Sequence, residues 1–138
     1  LIGHHLDAEI ETLSRALDRI SSAADLAPAI ERRYRGLGED GSWCLLTTEF
    51  QLYALRGGEK ADEFGEIYES HRRRLGDLIA THFDRLGVES SLTPYEFGVA
   101  QIALSHGLAL QRAANGALKA TLPARALATF VRGALAGP

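Results

Sequence analysis

Methionine is absent from this chain altogether, and cysteine and tryptophan occur once each. A single thiol, Cys44, excludes an internal disulfide framework and fits a reducing compartment. No run approaches the roughly 18 uninterrupted apolar residues that would span a bilayer, and no secretory leader pattern opens the sequence. A cytoplasmic location and no membrane partner are therefore expected. Glycine-rich phosphate loops and nucleophile elbows are missing, as are Glu-x-x-His, His-x-x-x-His and Cys-x-x-Cys spacings. No metal, no cofactor and no catalytic residues are expected. Lysine is scarce as well, with Lys60 and Lys119 set against thirteen arginines, a bias that fits a GC-rich genome. The net charge of −3 speaks against direct contact with nucleic acid, because a domain that grips phosphates by itself is usually basic.

What is present is helical periodicity. A hydrophobic fraction of 46% with 24% charged residues belongs to a globular chain, and 138 residues make one ordinary domain. Ile2, Leu6, Ile10, Leu13, Leu17 and Ile20 recur at three and four residues and form one stripe. A second helix is predicted from about Asp25, its N-cap, to Tyr34, with Pro28 in the first turn. Gly36 to Ser42 reads as a loop. Ser42 then caps a third helix, Trp43 to about Arg56, whose apolar residues cover most of its circumference. That pattern assigns it to the centre of a bundle. Gly57-Gly58 ends it. A fourth helix from near Asp62 to Leu86 would be about 36 Å long and carries Phe64, Ile67, Tyr68, His71, Leu75, Leu78, Ile79, His82, Phe83 and Leu86 on one face, with Gly87 as its stop. Thr93-Pro94-Tyr95-Glu96 is a capping box with proline in the first turn. It opens a fifth helix that runs to about Ala114, before Asn115-Gly116. A sixth runs from near Pro123 to Leu135. No period-two alternation persists, so the expected fold is an all-α bundle of about six helices.

The last two helices carry more apolar surface than one core requires. Val99, Ala103 and Leu110 mark one stripe of the fifth helix, and Phe97, Leu104 and Leu108 mark another. Gly107, with Ala103 and Ala114, would allow close helix approach. Either one subunit buries all of this, or the two helices pair with a second copy in an intersubunit four-helix bundle. The second reading makes Leu104, Gly107, Leu108, Gln111, Leu127, Phe130, Val131 and Ala134 the dimer interface.

The segment Trp43-x-x-Leu46-x-x-Glu49-Phe50, followed by Ala54 and Arg56, resembles the central helix of the ligand-binding domain in TetR-family transcriptional regulators. Ala103-Leu104-x-x-Gly107-Leu108-x-Leu110, a short break and a final apolar helix are similar to that family's dimerisation pair. The resemblance covers essentially residues 1–138 and implies an effector-binding and dimerisation domain of a homodimeric repressor. The sequence opens inside a periodic pattern and without methionine, so it reads as part of something longer. The resemblance implies a helix-turn-helix upstream, through which alone operator DNA would be bound, with the first helix here as connector. Effector entry would shift that connector, change the spacing of the DNA-reading heads and release DNA.

The effector site implied by this reading comprises Leu46, Glu49, Phe50, Tyr53, Tyr68, His71, Leu75, Phe97 and Gln101. Tyr53 and Tyr68 are phenols that need partners when buried. Glu49 stands among apolar neighbours, where a carboxylate must pair or raise its pKa. Trp43 and Phe83 are expected in the core. His71 and His82, about 16 Å apart along one helix, cannot share a metal. Arg72-Arg73-Arg74 is expected to form a solvated face. Two competing readings are an acid/base enzyme using Glu49, His71 and a tyrosine, and a helical homodimeric interaction module without a ligand pocket. The first lacks any nucleophile–base arrangement.

Overall fold

Arg85 fixes the first helix against the longest one. Its Nη1 donates to the Ile20 carbonyl at 2.8 Å and its Nη2 to the Leu17 carbonyl at 2.9 Å, satisfying backbone acceptors that a helix end leaves unpaired. The computed structural model describes residues 2–37, 39 and 42–136. These form α1 (Ile2–Asp18), a 3-10 turn (Ala23–Asp25), α2 (Leu26–Arg33), α3 (Ser42–Leu55), α4 (Ala61–Leu86), α5 (Pro94–Ala114) and α6 (Leu122–Leu135). The described residues contain no strand, and the all-helical architecture stands. No described helix is long and apolar enough to cross a membrane.

The helix ends follow their local chemistry. Thr93 Oγ1 accepts from the Glu96 N–H at 3.1 Å, and Glu96 Oε1 accepts from the Thr93 N–H at 2.9 Å. This is the expected reciprocal box. Gly87 closes α4 in the left-handed region at φ 66°, and the Val88 N–H returns to the Phe83 carbonyl at 2.9 Å, a closure that glycine favours. Asp25 does precede α2, yet its carboxylate accepts the Ser22 hydroxyl at 3.0 Å and makes no side-chain cap. The cap expected from the Ser42 side chain lies outside the described residues, as do Gly38, Asp40 and Gly41.

The bundle has a filled end. Leu17, Ile20, Leu26, Ile30, Ile79, Phe83, Phe97, Leu127 and Val131 pack into one core. Within it Phe83 and Phe97 meet edge to face with centroids 5.2 Å apart, and Phe97 meets Phe130 at 5.0 Å. The α4–α5 contact depends on glycine. A Cβ on Gly76 would lie 3.0 Å from Tyr95 Cα, and one on Gly98 would lie 3.3 Å from Leu75 and Ile79 side-chain atoms.

Two expectations need correction. Leu127 is 0% exposed and Val131 1%, and Ala134 is also buried; α6 turns its apolar face inward and packs chiefly on α2. These three residues are covered by their own chain and have no surface to offer a second copy. The helical stripe on α6 was real, but the short α2 supplies the partner for it. Likewise α3 is not central. Leu45 is 56% exposed, Leu52 42% and Leu55 82%, and α3 leans on α4 and α5 from one side only.

Candidate ligand-binding site

The other end of the bundle is hollow, and the cause lies in side-chain size. Where α3 and α5 face each other, the positions are Cys44 and Thr47 on one side and Ser105 and Ala109 on the other. Side chains this small cannot fill the space that the helix backbones leave. The result is a cavity of about 270 Å³, against the roughly 150 Å³ that admits benzene. Leu6, Ile10 and Leu13 of α1, Leu75 of α4 and Ile102 of α5 make its apolar walls. Leu37 and Trp43 close it from the α2–α3 side, and Glu9, Gln51 and Arg72 line it as well. Leu13 and Leu75 also belong to the core of the filled end, so they form a floor common to both halves.

Polar groups around this hollow are held in place from several elements. Gln101 is buried, and its Nε2 donates to Tyr34 Oη at 3.0 Å. Thr48 Oγ1 donates to the Cys44 carbonyl at 2.8 Å and lies 3.2 Å from His106 Nε2. Arg112 Nη1 donates to the Leu37 carbonyl at 3.0 Å, which holds the segment after α2. The His5 ring lies 3.8 Å from that of Trp43. Three groups lack a partner: Arg33 Nε, Tyr68 Oη and His71 Nδ1. Among the described residues these are the only buried side-chain nitrogen or oxygen atoms without a hydrogen bond, and all three residues line this one cavity. Wider hollows around Ser90–Thr93 and around Pro28 and Arg132 contain none of them, while His71 also borders an outer hollow between α1 and α4 lined by Asp7, Ile67 and Arg74.

Three of the four charges beside His71, those of Asp7, Arg72 and Arg74, are matched. Arg74 pairs with Asp7 and Arg72 with Glu69 at 2.9 Å, while Glu9 shares a hydrogen bond with His5 at 3.1 Å. Burial pushes the His71 imidazole below its ordinary value of 6.5, opposed by Glu9 and Asp7 and reinforced by Arg74 and Arg72. Burial raises the Tyr68 phenol above its usual range, so both side chains are neutral near pH 7. Burial raises the Cys44 thiol too, against a hydrogen bond with Thr48, and leaves it a poor nucleophile.

Of the expected effector site, Tyr68, His71, Leu75 and Gln101 line the cavity. Leu46, Glu49, Phe50, Tyr53 and Phe97 do not. Phe97 is buried in the filled end between Phe83 and Phe130. Phe50 packs on Phe64 with centroids 4.9 Å apart. Tyr53 lies over Gly58, and its hydroxyl accepts from the Lys60 N–H at 3.2 Å. Glu49 is exposed on a shallow outer hollow with Leu52, Tyr53, Arg56 and Gly58. Trp43, expected in the core, is a cavity residue. A helix apolar all round carries no signal about which face turns inward, and α3 sits rotated from the expected face, with 43, 44, 47 and 51 toward the cavity. Arg33 and Tyr34 stand at the end of α2, and only the long-range fold brings them here. Leu6, Ile10 and Leu13 were legible as core positions, and their role at a cavity was not.

Compared with known protein families, curated proteins and solved structures, the chain matches none.

The lowered imidazoles of His71 and His82, the latter pushed down by burial and then by Arg85, generate a pH dependence. Each binds its proton more readily unfolded than folded. Stability is therefore full above pH 6.5 and falls as the pH drops below it toward the lowered native values, by at most about 1.4 kcal/mol per pH unit for each histidine. Urea unfolding at pH 7.5 and 5.5 should show this loss, and His71→Leu should reduce it. Glu69 and Glu96, whose carboxyls are lowered by Arg72 and by the Thr93 backbone respectively, act only below about pH 4.5. A flat response between 7.5 and 5.5 would contradict the assignment.

Proposed function

We propose that this chain is a small-molecule-binding domain, and more specifically the effector-binding half of a TetR-like transcriptional repressor. The observation that carries the first part is a single cavity whose lining includes Arg33, Tyr68 and His71, each with one buried side-chain atom that has no partner. Buried polar groups without partners are uncommon in native proteins, and each costs about 1–3 kcal/mol. A ligand with matching polar atoms removes that cost, whereas a purely structural bundle gains nothing by retaining it.

The second part rests on the order of the helices and on what forms the cavity wall. In the resemblance α1 is the connector to a DNA-reading head. Leu6, Glu9, Ile10 and Leu13 of α1 line the cavity, so an occupant presses on the connector itself. On this reading effector binding favours one position of α1 over another by its difference in affinity for the two, and operator DNA is released by a helix-turn-helix outside these residues. The dimer that goes with this reading would use what α5 and α6 leave accessible: Leu104, Gly107, Leu108, Gln111 and Phe130. The alternative, a helical homodimeric interaction module without a ligand pocket, has the exposed Leu45, Leu52 and Leu55 of α3 in its favour. The cavity and its unpartnered groups count against it.

Two experiments follow. The neutral fluorophore N-phenyl-1-naphthylamine should brighten on binding, and Ala109→Phe, which fills the cavity, should weaken that binding tenfold or more while helicity is kept. Undiminished binding by the variant would place the fluorophore elsewhere and remove the pocket reading. In sedimentation the chain should be a dimer and Gly107→Arg a monomer. The substitution is tolerable within one chain, since a Cβ there meets nothing within 4 Å. An unchanged dimer would remove α5 from the interface.

A further inference from the structure

We infer that the ligand of this cavity is an uncharged apolar molecule, about the size of a substituted naphthalene, that carries hydrogen-bond-accepting oxygen of the ketone, ester or lactone kind. The inference rests on the ligand-binding reading above and adds the chemistry of the occupant.

Size comes first. A volume of about 270 Å³ is a little under twice the roughly 150 Å³ that holds a benzene ring, which suits two fused rings with a short substituent. The walls set the apolar character, since Leu6, Ile10, Leu13, Leu75, Ile102 and Ala109 offer no polar side-chain atom.

The unpartnered groups set the polarity. Arg33 Nε carries a hydrogen and no lone pair to give, so only an acceptor satisfies it. The Tyr68 hydroxyl keeps its proton in this buried setting and offers it to an acceptor. His71, 7% exposed, is a neutral imidazole whose Nδ1 completes the polar wall beside Tyr68. Arg33 stands at the end of α2, and Tyr68 and His71 are one turn apart on α4, so residues with an unpartnered polar atom line the cavity from two different walls. A ligand rich in acceptors and poor in donors answers this arrangement.

The balance of charge argues for a neutral oxygen over a carboxylate. Of the ionic groups close to His71 from both packed elements, Asp7 and Glu9 on α1 and Arg72 and Arg74 on α4, Asp7 and Arg74 are paired with each other and Arg72 with Glu69, while Glu9 shares a hydrogen bond with His5. Glu9 and Arg72 both line the cavity, and Arg72, already paired with Glu69, offers an entering anion no free cation. Arg33 is only half-buried and its guanidinium carbon lies 5.6 Å from the Tyr34 ring centroid. Water therefore screens its charge, and what it contributes inward is one N–H. A carboxylate entering here would lose its hydration against little compensation.

Three compounds with the same number of non-hydrogen atoms separate the possibilities: 2-acetylnaphthalene, 2-isopropylnaphthalene and 2-naphthoate, each titrated calorimetrically into the whole chain at pH 7.5. The ketone is expected to bind about tenfold tighter than the hydrocarbon, the worth of one buried hydrogen bond made good. It is also expected to bind tighter than the carboxylate. Tyr68→Phe should erase most of the ketone's advantage and leave hydrocarbon binding unchanged. Equal binding of ketone and hydrocarbon, or tightest binding by 2-naphthoate, would overturn the ligand chemistry while the pocket itself stands. If none of the three binds, both the chemistry and the pocket reading fall. An advantage of the ketone that survives Tyr68→Phe would overturn the role given to the phenol.

Discussion

A buried polar atom with no partner costs a folded protein on the order of 1–3 kcal/mol, and three residues lining one hollow each carry such an atom. Tyr68 and His71 come from one face of α4, and Arg33 from the end of α2. Native stability is only about 5–15 kcal/mol in total, so these groups are a substantial burden for a chain of this size. Hydrophobic substitutes at the same positions would remove the burden without loss of shape. On the proposed reading, a ligand supplies the missing partners.

The division of the bundle into two halves makes such a site possible. At one end α2 and α6 close over Phe83, Phe97 and Leu127, and the packing is continuous. At the other, the small residues Cys44, Thr47, Ser105 and Ala109 stand where large ones would be needed to fill the interior. Leu13 and Leu75 bridge the halves. Arg85 secures the C-terminal end of α1 through two carbonyls, while Leu6, Glu9 and Ile10 nearer its start line the cavity. On the proposed reading, an occupant would act on the part of α1 farthest from that clamp.

Much of this was legible in the residues, and the failures are informative. The stripes of α1 and α4, the Thr93–Glu96 box and the Gly87 stop each arise from local spacing or local hydrogen bonding, and each is found as read. Tyr68, His71, Leu75 and Gln101 line the cavity, and they lie on helices with a clear inward face or carry a buried polar side chain. The orientation of α3 was not legible, because Leu45, Leu46, Phe50, Leu52 and Leu55 distribute apolar surface around the whole helix. With no moment to read, the cavity face proved to be the less hydrophobic one, through Cys44, Thr47 and Gln51. The partner of α6 was equally hidden. Its stripe calls for burial but does not say whether the cover comes from a second copy or from eight residues of α2. Arg33 could not be placed from the sequence, since its position depends on contacts between segments far apart in the chain.

On the proposed reading Tyr68 and His71 serve a ligand and not the fold. Urea unfolding of the ligand-free Tyr68→Phe/His71→Leu double variant at pH 7.5 tests this most directly. Stability equal to or greater than that of the unsubstituted chain is predicted, because two desolvated polar groups are exchanged for apolar ones of similar shape. A loss of more than about 2 kcal/mol, the scale of a broken buried hydrogen bond, would show that these atoms hold the native structure together and would contradict the account.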